Sequence, residues 1–229
     1  MKKCYVLYAD IMGFKERVKA KEHGELLNEM SRFVKEFNVK TSSLKLGNHL
    51  SVSIFSDSIL ITSDDDSEGS VNLITKAGAR LMHVALEQGM ALKGAIALGM
   101  FTHMKEEQLY VGAPLVDAYL LHDELKFYGI AVHHSAESGI KNYIKQSKYA
   151  FSYHNSKISL RQGCVSHYHL CWNLITKNLD KGNITETARR WLSSIEESVS
   201  GMPRIYIDNT RKILKQDEDA YNAACKARG

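Results

Sequence analysis

Two prolines in 229 residues leave no room for a proline-rich spacer between domains. Cysteine is equally sparse. The four residues Cys4, Cys164, Cys171 and Cys225 form no CxxC pair, which excludes a zinc ribbon or dithiol redox motif of ordinary spacing. No apolar stretch approaches the roughly 20 residues of a membrane span. The opening MKKCYVLYAD lacks an apolar core of signal-peptide length, because Asp10 interrupts it. The expectation is a soluble cytoplasmic protein with reduced thiols. Dense Lys/Arg blocks, internal repeats and low-complexity tracts are missing too, so no basic nucleic-acid arm is legible. What is present is an ordinary globular balance, 44% hydrophobic and 24% charged, with a formal net charge of +4 and a pI near 8.7. That charge suits an anionic small molecule as well as a nucleic-acid surface and does not choose between them.

Lys3 to Ala9 is a β-branched and aromatic run that ends in Asp10 and Gly13, a buried strand followed by a turn. Leu26, Met30, Phe33, Val34 and Phe37 recur at helical spacing and predict a helix over 23–41, its connection ended by Gly47 and Asn48. His49 to Thr62 alternates, breaks at Ser56-Asp57-Ser58 and resumes, the pattern of a β-hairpin with Asp57 at or beside its turn. Asp64 to Glu68 reads as a helix N-terminus, followed by an apolar face at Val71, Ile74, Leu81, Val84 and Ala85. Ala91 to Met100 is a strand with Lys93, Ala95, Ala97 and Gly99 on one face. Gly112-Ala113-Pro114 opens a helix through His122, and Ile130 to His133 is a short strand leading to a loop at His133-His134. The fold class is α/β (α+β): a ferredoxin-like sandwich with helices on one face of the sheet. Beyond residue 140, short strands are expected at 149–153, 157–160 and 168–172, and helices at 185–198 and 203–226, separated by Gly201-Met202-Pro203. Residues 1–140 form the expected core and 141–229 a C-terminal strand/helix extension packed on it.

In such a sheet the strand ending at Asp10 and the hairpin carrying Asp57 are neighbours, so the two carboxylates converge. Unpaired, each raises the other's pKa. A divalent cation removes the conflict, and Mg²⁺ is held by one or two carboxylates plus phosphates and water. Gly13 and Phe14 follow Asp10 at a helical start, where backbone N–H groups favour phosphate. Lys93, flanked by small residues on its strand face, has the reach to meet a triphosphate. Each residue has a plainer reading: Asp before Gly is a common turn residue, and an isolated strand lysine is commonly solvated. The ordered set is what points to a site. His167 and His169, with Cys164 and Cys171 nearby, match no standard zinc module and read as an ordinary strand. Trp172 and Trp191 read as core or interface anchors. The C-terminal helix mixes Arg204, Arg211, Lys212, Lys215, Lys226 and Arg228 with Asp208, Asp217, Glu218 and Asp219, a solvated face.

The segments YADIMGF (8–14), IFSDSIL (54–60), LKGAIALG (92–99) and YVGAPLVDAYLLH (110–122), in that order, resemble the class III nucleotidyl cyclases. The departures are specific. The hairpin Asp follows Ser56 where adenylate and guanylate cyclases have Gly. The purine-reading positions are Ser53 and Leu109, and the positions of the usual transition-state Asn and Arg are Val116 and Leu120. The combination FSDSI, KGAIALG and VGAPLVDAYLLH, with HYHLCWNL (167–174) and YIDNTRKIL (206–214), is similar to the pyrimidine cyclases of bacterial Pycsar anti-phage systems, in which Lys93 replaces a common Arg.

That resemblance implies a cyclase fold and conversion of UTP, or less favourably CTP, to the 3′,5′-cyclic monophosphate as a signal for a separate effector protein. It implies two Mn²⁺ or Mg²⁺ ions held by Asp10, Asp57 and the Ile11 carbonyl, and phosphates at Gly13, Phe14 and Lys93. The base would lie against Ser53, Phe55 and Leu109. It also implies a homodimer whose active sites lie between subunits, with Tyr119 of a partner helix over the nucleotide. A purine cyclase, a GGDEF-like or polymerase-palm relative and a non-catalytic nucleotide-binding dimer module are the alternatives. The missing GGDEF-type loop weighs against a GGDEF-like relative, and the intact carboxylates weigh against the non-catalytic module.

Overall fold

The computed structural model describes residues 2–42, 49–104, 106–146, 151–175 and 184–226. Among them no helix is long and apolar enough to cross a membrane. Strand β1 (Lys2–Met12) is the spine. Its alternation sends Tyr5, Leu7, Ala9 and Ile11 into the main core, so Cys4, Val6, Tyr8 and Asp10 face the other way. Strands β2 (Leu50–Phe55) and β3 (Ser58–Ser63) form the predicted hairpin. Strand β4 (Ala91–Met104) pairs with β1 on its other side. The register sets Asp10 opposite Ser58 of β3 and opposite Lys93 of β4. The order β2-β3-β1-β4 is the ferredoxin-like arrangement.

The sheet then continues. β5 (Leu109–Gly112) folds back antiparallel on the far end of β4, and β6 (Ile130–Val132) runs parallel to its near end. β7 (Tyr153–Leu160) and β8 (Gly163–Leu170) form a second hairpin, with β8 against β6. These are two strands of eight residues where the sequence predicts three short ones. The three apolar runs are interrupted by polar outward-facing residues such as Asn155, Lys157 and Ser166, which belong to the hairpin's exposed side. Gly47, Asn48, Tyr149, Ala150 and Arg228 lie outside the described residues.

Helices α1 (Phe14–Ala20), α2 (His23–Ser42) and α3 (Glu68–Glu87) fill the connections on the core side. Helix α3 starts where the acidic run predicts it. Ser67 caps it by accepting from the Ser70 N–H, and Asp65 accepts from the Ser67 N–H at 2.9 Å. Its buried face includes Val71, Ile74 and Leu81, and a fully buried large side chain contributes roughly 2–3 kcal/mol. A helix over His134–Gln146 (α5) begins at His134, where the sequence predicts a loop at His133-His134, and buries Ala136, Ile140 and Tyr143. Its Gly139 is required by packing, because a Cβ there would lie 1.9 Å from the Tyr5 hydroxyl.

Helices lie on both faces of the sheet, not one. Helix α4 (Ala113–Glu124) covers the Asp10 side of β1 and β4. Ala95 and Ala97 pack against Ala118, and a Cβ on Gly99 would meet Pro114 Cδ at 2.9 Å. The small residues beside Lys93 thus make a seat for this helix rather than a channel for a long side chain. Helices α6 (Ile184–Glu196) and α7 (Met202–Lys226) follow among the described residues. Ile213 of α7 packs with Phe127, Ala131 and Ile158.

Candidate active site

The hairpin turn comprises two residues, Ser56 and Asp57, between the paired Phe55 and Ser58. Ser56 holds φ at 56°, a conformation that suits glycine and costs a serine about 1 kcal/mol. The turn is tied to β1, because the Ile11 N–H donates to the Asp57 carbonyl at 3.0 Å. This fixes Asp57 beside Asp10, close enough for its charge to act on the Asp10 carboxyl. Burial, then the Asp57 charge, pushes the Asp10 carboxyl up to about 6, with Lys93 opposing. Two carboxylates held this close and partly shielded from water form a site with an electrostatic deficit of positive charge, and a divalent cation corrects it. The residues therefore fit a metal-binding pair.

Positive charge comes from one side. Lys93 is 5% exposed, so it is no solvated edge lysine. Burial lowers its pKa, while Asp123 and Asp10 oppose that shift. Arg161 pairs with Asp123 at 2.5 Å, and the Lys93 Nζ lies 5.9 Å from the centre of the Tyr206 ring on α7. His122 of α4 closes the site from above, its Nε2 4.0 Å from Asp10 Oδ2. Burial, then Lys93, pushes its pKa down to about 4, so the imidazole is neutral at physiological pH. Tyr8 lies between these groups. Its hydroxyl bonds the Ser58 hydroxyl at 2.8 Å, and its ring meets Tyr119 and His122 edge-on at 5.5 and 5.0 Å.

On the hairpin, Ser53 and Phe55 share a face by alternation. The Ser53 hydroxyl bonds the Tyr110 hydroxyl at 2.9 Å, and Tyr110 stacks near His103 at 4.5 Å. Leu109, the next residue on β5, is exposed, as is Phe55 at 83%. Gly13 caps α1 with φ 74° and no side-chain bond, and Phe14 packs at the core edge. Tyr119 of the same chain lies over Tyr8 and is half exposed.

The geometry thus brings Asp10, Ile11, Asp57 and Lys93 together. Ser53 and Phe55 lie along the adjoining hairpin. The sequence does not single out His122, Tyr110, Tyr8, Asp123 or Tyr206 for this region. Tyr110 sits inside the YVG motif and His122 ends the α4 motif, but only the way β5 and α4 fold back over β4 and β1 reveals what they meet.

No protein-family profile matches the chain, and no curated protein is similar to it by sequence. Solved structures are similar in fold. The monomeric guanylyl cyclase domain of the RhoGC fusion protein from the aquatic fungus Blastocladiella emersonii matches with a TM-score of 0.58 at 12% identity, over 74% of this chain and 94% of that one. A non-canonical dimeric form of the same domain matches with a TM-score of 0.53 at 12% identity, over the same shares. The chain has the α+β fold of class III cyclase domains.

Proposed function

We propose that the protein is a pyrimidine nucleotide cyclase, converting UTP, or less favourably CTP, to the 3′,5′-cyclic monophosphate and pyrophosphate. The convergence of Asp10 and Asp57 at the ends of two neighbouring strands carries this reading. Two Mg²⁺ or Mn²⁺ ions bound there supply Lewis-acid activation of the ribose 3′-hydroxyl and charge neutralisation on the leaving pyrophosphate. Asp10 and Asp57 hold that charge in place, with the Ile11 carbonyl as a third oxygen. Lys93 lies opposite Asp10 in the register and adds positive charge to the site, and the Gly13–Phe14 backbone receives the phosphates. In the reaction the 3′-oxygen gives up its proton to solvent water and bonds to the α-phosphorus. The bond from that phosphorus to the bridging oxygen breaks, and pyrophosphate departs with the electron pair. Nucleophile and electrophile belong to one molecule, so positioning and fixed charge provide most of the rate.

The pyrimidine assignment is supported by what occupies the base-reading positions. Ser53, hydrogen-bonded to Tyr110, offers a short polar edge, and Phe55 and Leu109 offer apolar surface. The hydroxyl pair can turn either a donor or an acceptor to the base. The likeness of the FSDSI and VGAPLVDAYLLH motifs to the Pycsar cyclases supports the same reading, and with it an anti-phage signal received by a separate effector. Exposed Phe55, Leu109, Val111, Val116, Tyr119 and Leu120 favour a homodimer with its sites between subunits. In that arrangement Tyr119 of the partner helix meets the nucleotide.

The test is incubation with Mn²⁺ and each of the four ribonucleoside triphosphates, with products identified by mass spectrometry. Cyclic UMP or cyclic CMP is expected, and Asp57→Ala should lose the product while keeping its circular dichroism spectrum. Purine products alone, or full activity in Asp57→Ala, would overturn the proposal.

A further inference from the structure

A second convergence of metal-binding side chains lies at the other end of the sheet. His154 of β7 and His169 of β8 are cross-strand partners, and Asp217 of α7 reaches down between them. The His154 Nδ1 is 2.8 Å from Asp217 Oδ1, and the His169 Nε2 is 2.9 Å from the same oxygen and 3.1 Å from Oδ2. The three ligand atoms lie within 4.8 Å of one another. Ligands around a tetrahedral ion with bonds of about 2.1 Å are about 3.4 Å apart, so small side-chain rotations suffice to admit one.

The surroundings argue for more than a pair of hydrogen bonds. Asp217 and His169 are each 1% exposed, on a helix face whose neighbour Ile213 is packed against apolar residues. A buried carboxylate there is costly without strong partners. Both imidazoles converge on one of its oxygens. Cys171, two residues beyond His169, is also fully buried at this end of the sheet. Two imidazoles and a carboxylate suit zinc-like ions, whereas Mg²⁺ and Ca²⁺ favour all-oxygen shells. The side chain of His154 is 25% exposed, which gives an ion a way in.

We propose that His154, His169 and Asp217 form a binding site for a zinc-class divalent cation, separate from the Asp10–Asp57 pair, that fastens α7 to the β7–β8 hairpin. Tyr206 lies 11 residues before Asp217 on the same helix, about three turns and about 16 Å away on the same face. Its ring stacks on Tyr128 at 5.5 Å and lies under the Lys93 and Lys126 ammonium groups at 5.9 and 5.3 Å. Fastening one end of α7 therefore steadies the ring that meets Lys93 at the other. The proposal does not rest on the cyclase reading.

The test uses the full chain carrying Asp10→Asn and Asp57→Asn, which removes the other carboxylate pair. Zn²⁺ affinity is measured by competition with a chromophoric chelator, and Co²⁺ serves as a visible probe of coordination. One equivalent of Zn²⁺ should bind with at least micromolar affinity, resist millimolar Mg²⁺, and raise the unfolding temperature. His154→Ala, at a partly exposed position that tolerates truncation, should weaken binding at least tenfold and abolish the thermal shift. Asp217→Asn should do the same if it folds. Failure of the background protein to take up Zn²⁺, as expected of a triad serving only hydrogen bonds, would overturn the proposal. So would unchanged affinity in His154→Ala.

Discussion

Replacing Asp57 with Asn should make the metal-free protein more stable at high pH, although it removes half of the proposed metal site. Asp10 is raised from 3.8 to about 6 by burial first and the Asp57 charge second. That rise corresponds to about 3 kcal/mol of differential stability. Because the folded-state pKa is the higher one, that stability is fully present below about pH 4 and is lost as pH rises through about 6. The substitution leaves Asp10 buried but removes its like-charged neighbour. The Asp57 charge is the second cause of the shift, after burial, so its removal recovers about half or less of that 3 kcal/mol. The expected gain is about 1–2 kcal/mol at pH 8 and close to none at pH 4, where Asp10 is protonated in both proteins. For a domain of this size that is about 2–8 °C in unfolding temperature. The assay is urea or thermal unfolding in EDTA at the two pH values, repeated with saturating Mn²⁺. With the ion present the order should reverse, since only the wild type gains binding energy. A stability difference independent of pH, or a variant that weakens as pH rises, would refute the idea that the two carboxylates are in conflict.

Ser56→Gly should stabilise the fold by about 1 kcal/mol, because φ at 56° is strained only for a residue with a side chain; chemical denaturation reads this directly. Gly99→Ala should cost about 1–3 kcal/mol by driving a methyl group into Pro114, and the same variant should lose activity as α4 lifts off β4. Tyr110→Phe removes the partner of Ser53, and the ratio of cyclic products from UTP and CTP should change by several-fold, measured in mixed-substrate competition with overall stability unchanged.

The hairpin, its turn and the strand of Asp10 are legible in the sequence because each alternates cleanly and breaks at polar residues. Their order along the chain is enough to bring two carboxylates together. Helix α5 is not legible, because its buried face is narrow and Gly139 and two adjacent histidines mimic a loop. The glycine is there to clear the Tyr5 hydroxyl. The burial of Lys93 is also hidden. Its flanking Ala95, Ala97 and Gly99 read as open space, while their smallness reflects the approach of α4. Likewise His122 and Tyr110 acquire their positions only from long-range folding back of α4 and β5, which local periodicity does not encode. Asp217 reads as one charge among many on a solvated helix, and only the three-dimensional fold turns it inward.

The central place of β1 bears on how the chain reaches this fold during synthesis. Its two sheet neighbours, β3 and β4, are both made after it, the second ending at Met104. At 5–20 residues per second, translation from the end of β1 to the end of β4 takes on the order of 5 to 20 s. Through that interval a strongly apolar strand has at least one unpaired edge, a state prone to pairing with other chains. Truncated chains ending before β4 should therefore aggregate, and slow codons in the α3 region should lower the yield of soluble protein more than the same codons placed after β6.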